Sequence, residues 1–128
     1  MSNNWHQEET YKSLMLYGNN ALKFILLING GAVIALLTFL GNLLKNTNNL
    51  EIDMSWAMGC FLLGIIVGGI ANLTAYFAQL KLYNESIGNT NSTTHMKWVY
   101  TTLGFVILGI ILFTIGSILT LNELQSYR

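Results

Sequence analysis

Apolar positions in this chain run in three continuous stretches, Leu22 to Leu44, Ala57 to Leu82 and Trp98 to Leu121, separated by segments rich in Asn, Ser, Thr, Glu and Lys. Apart from Lys23 and Lys81, near the ends of their stretches, none contains Lys, Arg, Asp or Glu. A hydrocarbon core about 30 Å thick is crossed by roughly 20 apolar residues of helix, so each stretch predicts one transmembrane helix. The apolar residues do not alternate at every second position, as a β-barrel would require, and an open sheet would leave backbone groups unpaired in lipid. The pattern therefore predicts an all-α polytopic membrane protein, with a three-helix transmembrane domain over 22–121 and a C-terminal tail over 122–128.

Residues 1–21 mix Trp5, Tyr11, Leu14, Met15, Leu16 and Tyr17 with Glu8, Glu9, Lys12 and Ser13. This does not resemble the short basic lead of a secretory signal peptide, and the segment is expected to be retained. Two arrangements fit it. In one, an amphipathic helix lies at the headgroup level, anchored by aromatics, and turns into the first span near Gly18, Asn19 and Asn20. In the other, Tyr11, Leu14, Gly18, Ala21, Ile25 and Ile28 continue one three-four spaced face, giving a single long helix that projects into the cytoplasm and seals against neighbouring subunits. In either case Trp5, Tyr11, Leu14 and Tyr17 are the candidate partner or interface contacts.

The connection from Lys45 to Ser55 is short and polar, forces an antiparallel hairpin, and offers Asp53 or Ser55 as a cap for the second helix. The connection from Asn84 to Met96 lacks periodicity and reads as a mobile, exposed loop in which His95 is an ordinary surface histidine. Trp56, Tyr83, Trp98 and Tyr100 fall at span ends, where amphipathic rings prefer to sit. Lys12, Lys23, Lys81 and Lys97 lie on the side shared by the N-terminus and the second connection, against Lys45 and Arg128 on the other. The positive-inside rule then puts the N-terminus in the cytoplasm.

Composition narrows the function classes. With 128 residues, 52% hydrophobic and 9% charged, the spans leave no room for a separate soluble domain, so the protein is expected to act in or beside the membrane. The spans make membrane lipids expected partners; the net charge is zero and no Lys/Arg cluster exists, so neither nucleic acid nor a polybasic lipid-binding segment is expected. Cys60 lies among Phe61, Leu62 and Leu63 and reads as a small packing residue. No span carries a central Asp, Glu, Arg or His, which argues against proton relays, ion-coupled carriers and voltage sensors. There is no Ser/His/Asp set, metal-ligand cluster, phosphate-binding glycine loop or carboxylate pair, so neither an enzyme nor a cofactor is expected.

The informative residues are the intramembrane amides and glycines. Unsatisfied amides are costly in hydrocarbon and point inward or toward a partner. Counted from the span ends, Asn29 lies about seven residues and Asn72 about nine or ten residues from the cytoplasmic side, roughly 10 to 15 Å deep at the helix rise. Gln79 shares a level with Lys23 on the same count. Asn29 and Asn72 either bond across the hairpin as packing glue or, with Gln79, line or gate a neutral pore. Gly64 and Gly68 form a GxxxG face suited to close helix approach. Gly30 and Gly31 offer either a second packing surface or a point where the first helix kinks.

The run Asn29-Gly30-Gly31-Ala32 leading into an Ala/Leu-rich helix, followed by a Gly- and Ala-rich second helix carrying Asn72, Tyr76 and Gln79, resembles a recurrent type of small bacterial inner-membrane protein, some of which resemble membrane-perturbing antiphage effectors. The resemblance covers the first two spans, about half of the chain, and implies a multi-pass protein of the bacterial inner membrane. The sequence thus leads to a homo-oligomeric membrane protein that forms or gates a pore and changes permeability, as a defence or toxin-like effector. The alternative is a non-conducting scaffold that anchors a soluble cytoplasmic partner through Trp5 to Tyr17.

Overall fold

The computed structural model describes residues 3–46, 53–88 and 95–126. The middle of the first connection, most of the second, and the last two residues lie outside the described residues, and with them the expectation of a mobile second loop. The described residues form three helices: α1 (Asn3–Asn46), α2 (Ser55–Ser86) and α3 (His95–Ser126). All three are long and apolar enough to cross a membrane, and the protein is an all-α, three-span membrane protein.

α1 is one continuous helix of 44 residues, about 66 Å long at 1.5 Å per residue. Gly18, Asn19 and Asn20 weaken helix propensity by at most about 1 kcal/mol each, and no proline is present to break the backbone ladder. Of the two arrangements open in the sequence, the long helix is the one found. Its three-four spaced face turns toward α2 and α3 of the same chain, with Leu22, Ile25 and Asn29 buried there.

α2 is the central element, and its buried positions are Ala57, Phe61, Gly64, Gly68, Ala71, Thr74 and Ala78. The alternation of three- and four-residue steps among mostly small side chains lets both neighbours approach closely, since helix association in lipid depends on packing rather than on a hydrophobic driving force. α2 and α3 form the tightest pair. Phe61 packs on Phe113 with ring centroids 5.7 Å apart, Phe77 on Trp98 at 5.2 Å, and the Thr74 and Thr102 hydroxyls meet at 2.9 Å. α1 leans mainly on α2, and at the end where α2 begins Leu36 joins Met54, Ala57 and Phe61 in a buried cluster.

The ends of the hairpin are held by carboxylates. Glu85 reaches across the second connection: its Oε2 lies 2.6 Å from His95 Nδ1, and its Oε1 accepts the His95 backbone N–H at 3.4 Å. His95 is therefore half-buried and paired with Glu85, not an ordinary surface histidine. The N-cap of α2 is Met54, with no side-chain cap bond, and neither Asp53 nor Ser55 holds that position; Asp53, one residue before it, accepts the Ser55 backbone N–H at 3.0 Å. The Ser55 hydroxyl, followed by this backbone bond, holds the Asp53 carboxyl below its ordinary value. A lowered value in the folded state means that this contact stabilises the start of α2 above the unfolded carboxylate range, near pH 4, and that the contribution disappears as pH falls through the folded value. Amide exchange at Ser55 is expected to quicken on such acidification, and Asp53→Asn is expected to remove that pH dependence.

Candidate functional site

The register of α1 sets where its polar groups lie. Asn29 faces Gly64, Ile25 and Leu26 face Gly68, and Met15 Sδ lies 3.9 Å from Gln79 Nε2. Each step toward the start of α1 is thus a step toward the end of α2. Ile25 also packs on Gly109 of α3. Gly68 and Gly109 lie near the centres of α2 and α3, so Ile25 is level with the middle of both helices, and Lys23 lies within one helical turn of the same level. Tyr11, Leu82 and His95 share one groove, so the end of α2 and the start of α3 are level with α1 near Lys12. The part of α1 that lies alongside α2 and α3 therefore begins about ten residues before Leu22, and α1 runs about 15 Å past Leu36 at the helix rise.

This register separates residues that depth counting had paired. Asn29 and Asn72 do not meet, and Gln79 is level with Met15, not with Lys23. Asn29 is wholly enclosed, with no exposed surface. It stands where the three helices converge: its Nδ2 donates to Ile25 O at 3.0 Å on α1 and to Gly109 O at 3.3 Å on α3. Its Oδ1 has no hydrogen-bond partner among the described residues and lies over Gly64, where any Cβ would overlap the carboxamide. With no side chain on Gly64, its Cα hydrogens can approach this oxygen, a weak C–H···O contact at most. Asn29 is therefore a packing node inside one chain and presents no atom to an axis between chains.

Asn72 is exposed, with Nδ2 donating to Gly68 O at 3.1 Å. Gln79 is also exposed and lines an open groove of about 510 Å³ between the first half of α1, the end of α2 and the start of α3. The walls of this groove are almost wholly apolar, with Tyr11, Leu14 and Met15 contributed by α1. Trp5 and Tyr17 are exposed at 61% and 70%, outside the groove. Gly64 and Gly68 carry the close approach of α1. Gly30 and Gly31 do not take part in packing within the chain, because a Cβ on either would meet nothing within 4 Å, and α1 is not interrupted there.

The feature that reading by spans missed is the outer face of α1. Opposite Leu22, Ile25, Asn29 and Leu36, exposed positions recur at three- and four-residue steps: Asn19, Asn20, Lys23, Leu27, Gly31, Ile34, Thr38 and Asn42. Its signal in the sequence is Gly18-Asn19-Asn20 and Lys23, which the edge of the first apolar run puts near the membrane surface. The Thr38 hydroxyl is satisfied by Ile34 O at 2.8 Å on its own helix. Lys23 has no ion-pair partner among the described residues. No group of three His, Cys, Asp or Glu side chains able to hold a metal ion occurs among the described residues. Comparison of the chain with protein families, with curated proteins and with solved structures gave no match, so what the arrangement does is argued from its geometry alone.

Proposed function

We propose that the chain is a homo-oligomeric protein of the bacterial inner membrane, with its N-terminus in the cytoplasm, that forms or gates a pore and acts by changing membrane permeability, in the manner of a defence or toxin-like effector. The observation that carries this reading is the outward display of Asn19, Asn20 and Lys23 on the part of α1 that lies alongside α2 and α3, which a bilayer centred on those two helices would enclose. Polar side chains at that depth face a protein interior or a water-filled cavity, because hydrocarbon offers them no hydrogen bonds. The interior of a single chain is not available to them, since the three helices converge on Asn29, Gly64 and Gly109 and leave no room for water there. Several copies around an axis supply the missing environment.

The test is release of ions or a small dye from liposomes containing the purified protein, together with particle symmetry in detergent. A ring with a central axis and a leak that rises with protein density are expected. Tight vesicles and a compact monomer would overturn the proposal. The scaffold reading has one observation in its favour, the apolar groove that Tyr11, Leu14 and Met15 open at the cytoplasmic end, which has the form of a seat for an amphipathic partner helix. In that case tight vesicles would be accompanied by capture of a soluble partner that is lost on Leu14→Asp.

A further inference from the structure

The polar groups exposed at bilayer depth are not spread evenly over the three helices. On α3 the outward Thr114 hydroxyl bonds to Ile110 O at 2.9 Å, and on the flank of α3 Thr120 bonds to Gly116 O at 2.9 Å, so both are satisfied within their own helix and tolerate lipid. On α2 the exposed amide of Asn72 is half satisfied by Gly68 O. On α1 the ammonium of Lys23 is exposed without an ion-pair partner among the described residues, flanked one turn away by Asn19 and Asn20. A lysine near a span end lifts its charge to the headgroups along an apolar stem. Lys23 is level with the centres of the other two helices, because Ile25, two residues on, packs on both Gly68 and Gly109. From mid-depth the headgroups are about 15 Å away in either direction, beyond the reach of the stem.

Resting on the pore reading above, we infer that α1 is the helix that lines the conducting path and that Lys23 makes the path anion-selective. The same face continues through Leu27, Gly31, Ile34, Thr38 and Asn42, all exposed, so beyond Lys23 the apolar side chains of Leu27 and Ile34 alternate with small or polar ones. Copies of α1 around an axis place one Lys23 each at one level, and a ring of cationic side chains at a constriction favours anions and repels cations. The residues named in the sequence for this role were neutral amides, which predict no charge preference. The inference thus assigns both a lining helix and an ion class that those residues do not.

The experiment is the reversal potential of the full-length protein in a planar bilayer under a potassium chloride gradient. The parent is expected to reverse on the chloride side, Lys23→Gln to lose the anion preference several-fold and reverse near zero, and Lys23→Glu to reverse on the cation side. Thr114→Val, on the outer face of α3, is expected to leave selectivity unchanged. A second measurement does not depend on the charge variants: Lys23→Cys in a Cys60→Ser background should react with a membrane-impermeant thiol reagent, with a change in current. A conducting parent whose selectivity is untouched by Lys23→Gln, or a Lys23→Cys thiol that the reagent does not reach, overturns the assignment and leaves the pore reading standing. An intact, reconstituted oligomer that conducts nothing overturns both.

Discussion

Gly64→Leu is expected to separate α1 from the α2–α3 pair while leaving all three helices inserted. A Cβ at position 64 overlaps the Asn29 carboxamide, and neither partner can yield. Gly64 is in the middle of α2, and Asn29 is fixed by Ile25 O and Gly109 O. Overpacking a tight core costs about 1–3 kcal/mol, and swinging Asn29 aside to relieve it strands a buried amide at a further cost of about 1–3 kcal/mol. Interhelical hydrogen bonds in membranes average only about 0.6 kcal/mol, so the bonds of the node cannot absorb the penalty. Met15→Cys with Gln79→Cys, in a Cys60→Ser background, reads the seating of α1 through a short bifunctional thiol crosslinker, because these side chains meet at their tips in the native packing, farther apart at Cβ than a direct disulfide spans. Crosslink yield is expected to fall several-fold on adding Gly64→Leu and to hold on adding Gly104→Leu, since a Cβ at Gly104 meets nothing within 4 Å. Equal yields in both would mean that α1 is not seated on Gly64.

The fold was legible because it depends on a quantity that adds along the chain. Three apolar runs of sufficient length, with aromatic residues at their ends, specify three spans whatever the side chains do in detail. The register between helices has no such additive signal. Counting depth from the edge of each apolar run assumes that every run is centred in the bilayer. The first run is displaced instead, because Ile25, Leu26 and Asn29 lie directly on the backbone of Gly64, Gly68 and Gly109. The sequence shows those glycines but not which residues of α1 fill them. A displacement of about ten residues takes Asn72 away from Asn29 and brings Lys23 level with the middle of α2 and α3. The role of the N-terminal segment was undecided for the same reason: whether Tyr11 and Leu14 face their own chain or another depends on rotation about α1, which the buried triplet of Leu22, Ile25 and Asn29 fixes. His95 was misjudged because its partner, Glu85, lies across a connection whose closure cannot be read from composition.

Asn29→Asp should be the most damaging isosteric change in the protein, and it decides between the two roles that the sequence left open for this residue. The side chains have nearly the same shape, so packing against Gly64 is kept. What changes is the atom that donates at 3.0 Å to Ile25 O and at 3.3 Å to Gly109 O. An ionised carboxylate puts an acceptor against two carbonyl oxygens, and turning the group over changes nothing because both of its oxygens accept. In a site with no exposed surface the carboxyl either stays charged, at about 3–5 kcal/mol where buried pairs have been broken, or takes up a proton, which at neutral pH costs about 4 kcal/mol for an ordinary carboxyl and restores only one donor. Asn29→Ala removes the same bonds but buries no charge, leaving a small void while Gly109 O keeps its bond within α3, so it is expected to cost clearly less. Thermal denaturation in detergent at neutral pH should therefore rank the parent above Asn29→Ala, and Asn29→Ala above Asn29→Asp. If Asn29→Asp were as stable as the parent, water must reach position 29, and the residue would return from packing node to pore-lining amide. A rank order with the aspartate lowest means that position 29 is dry and that the residue is a packing node.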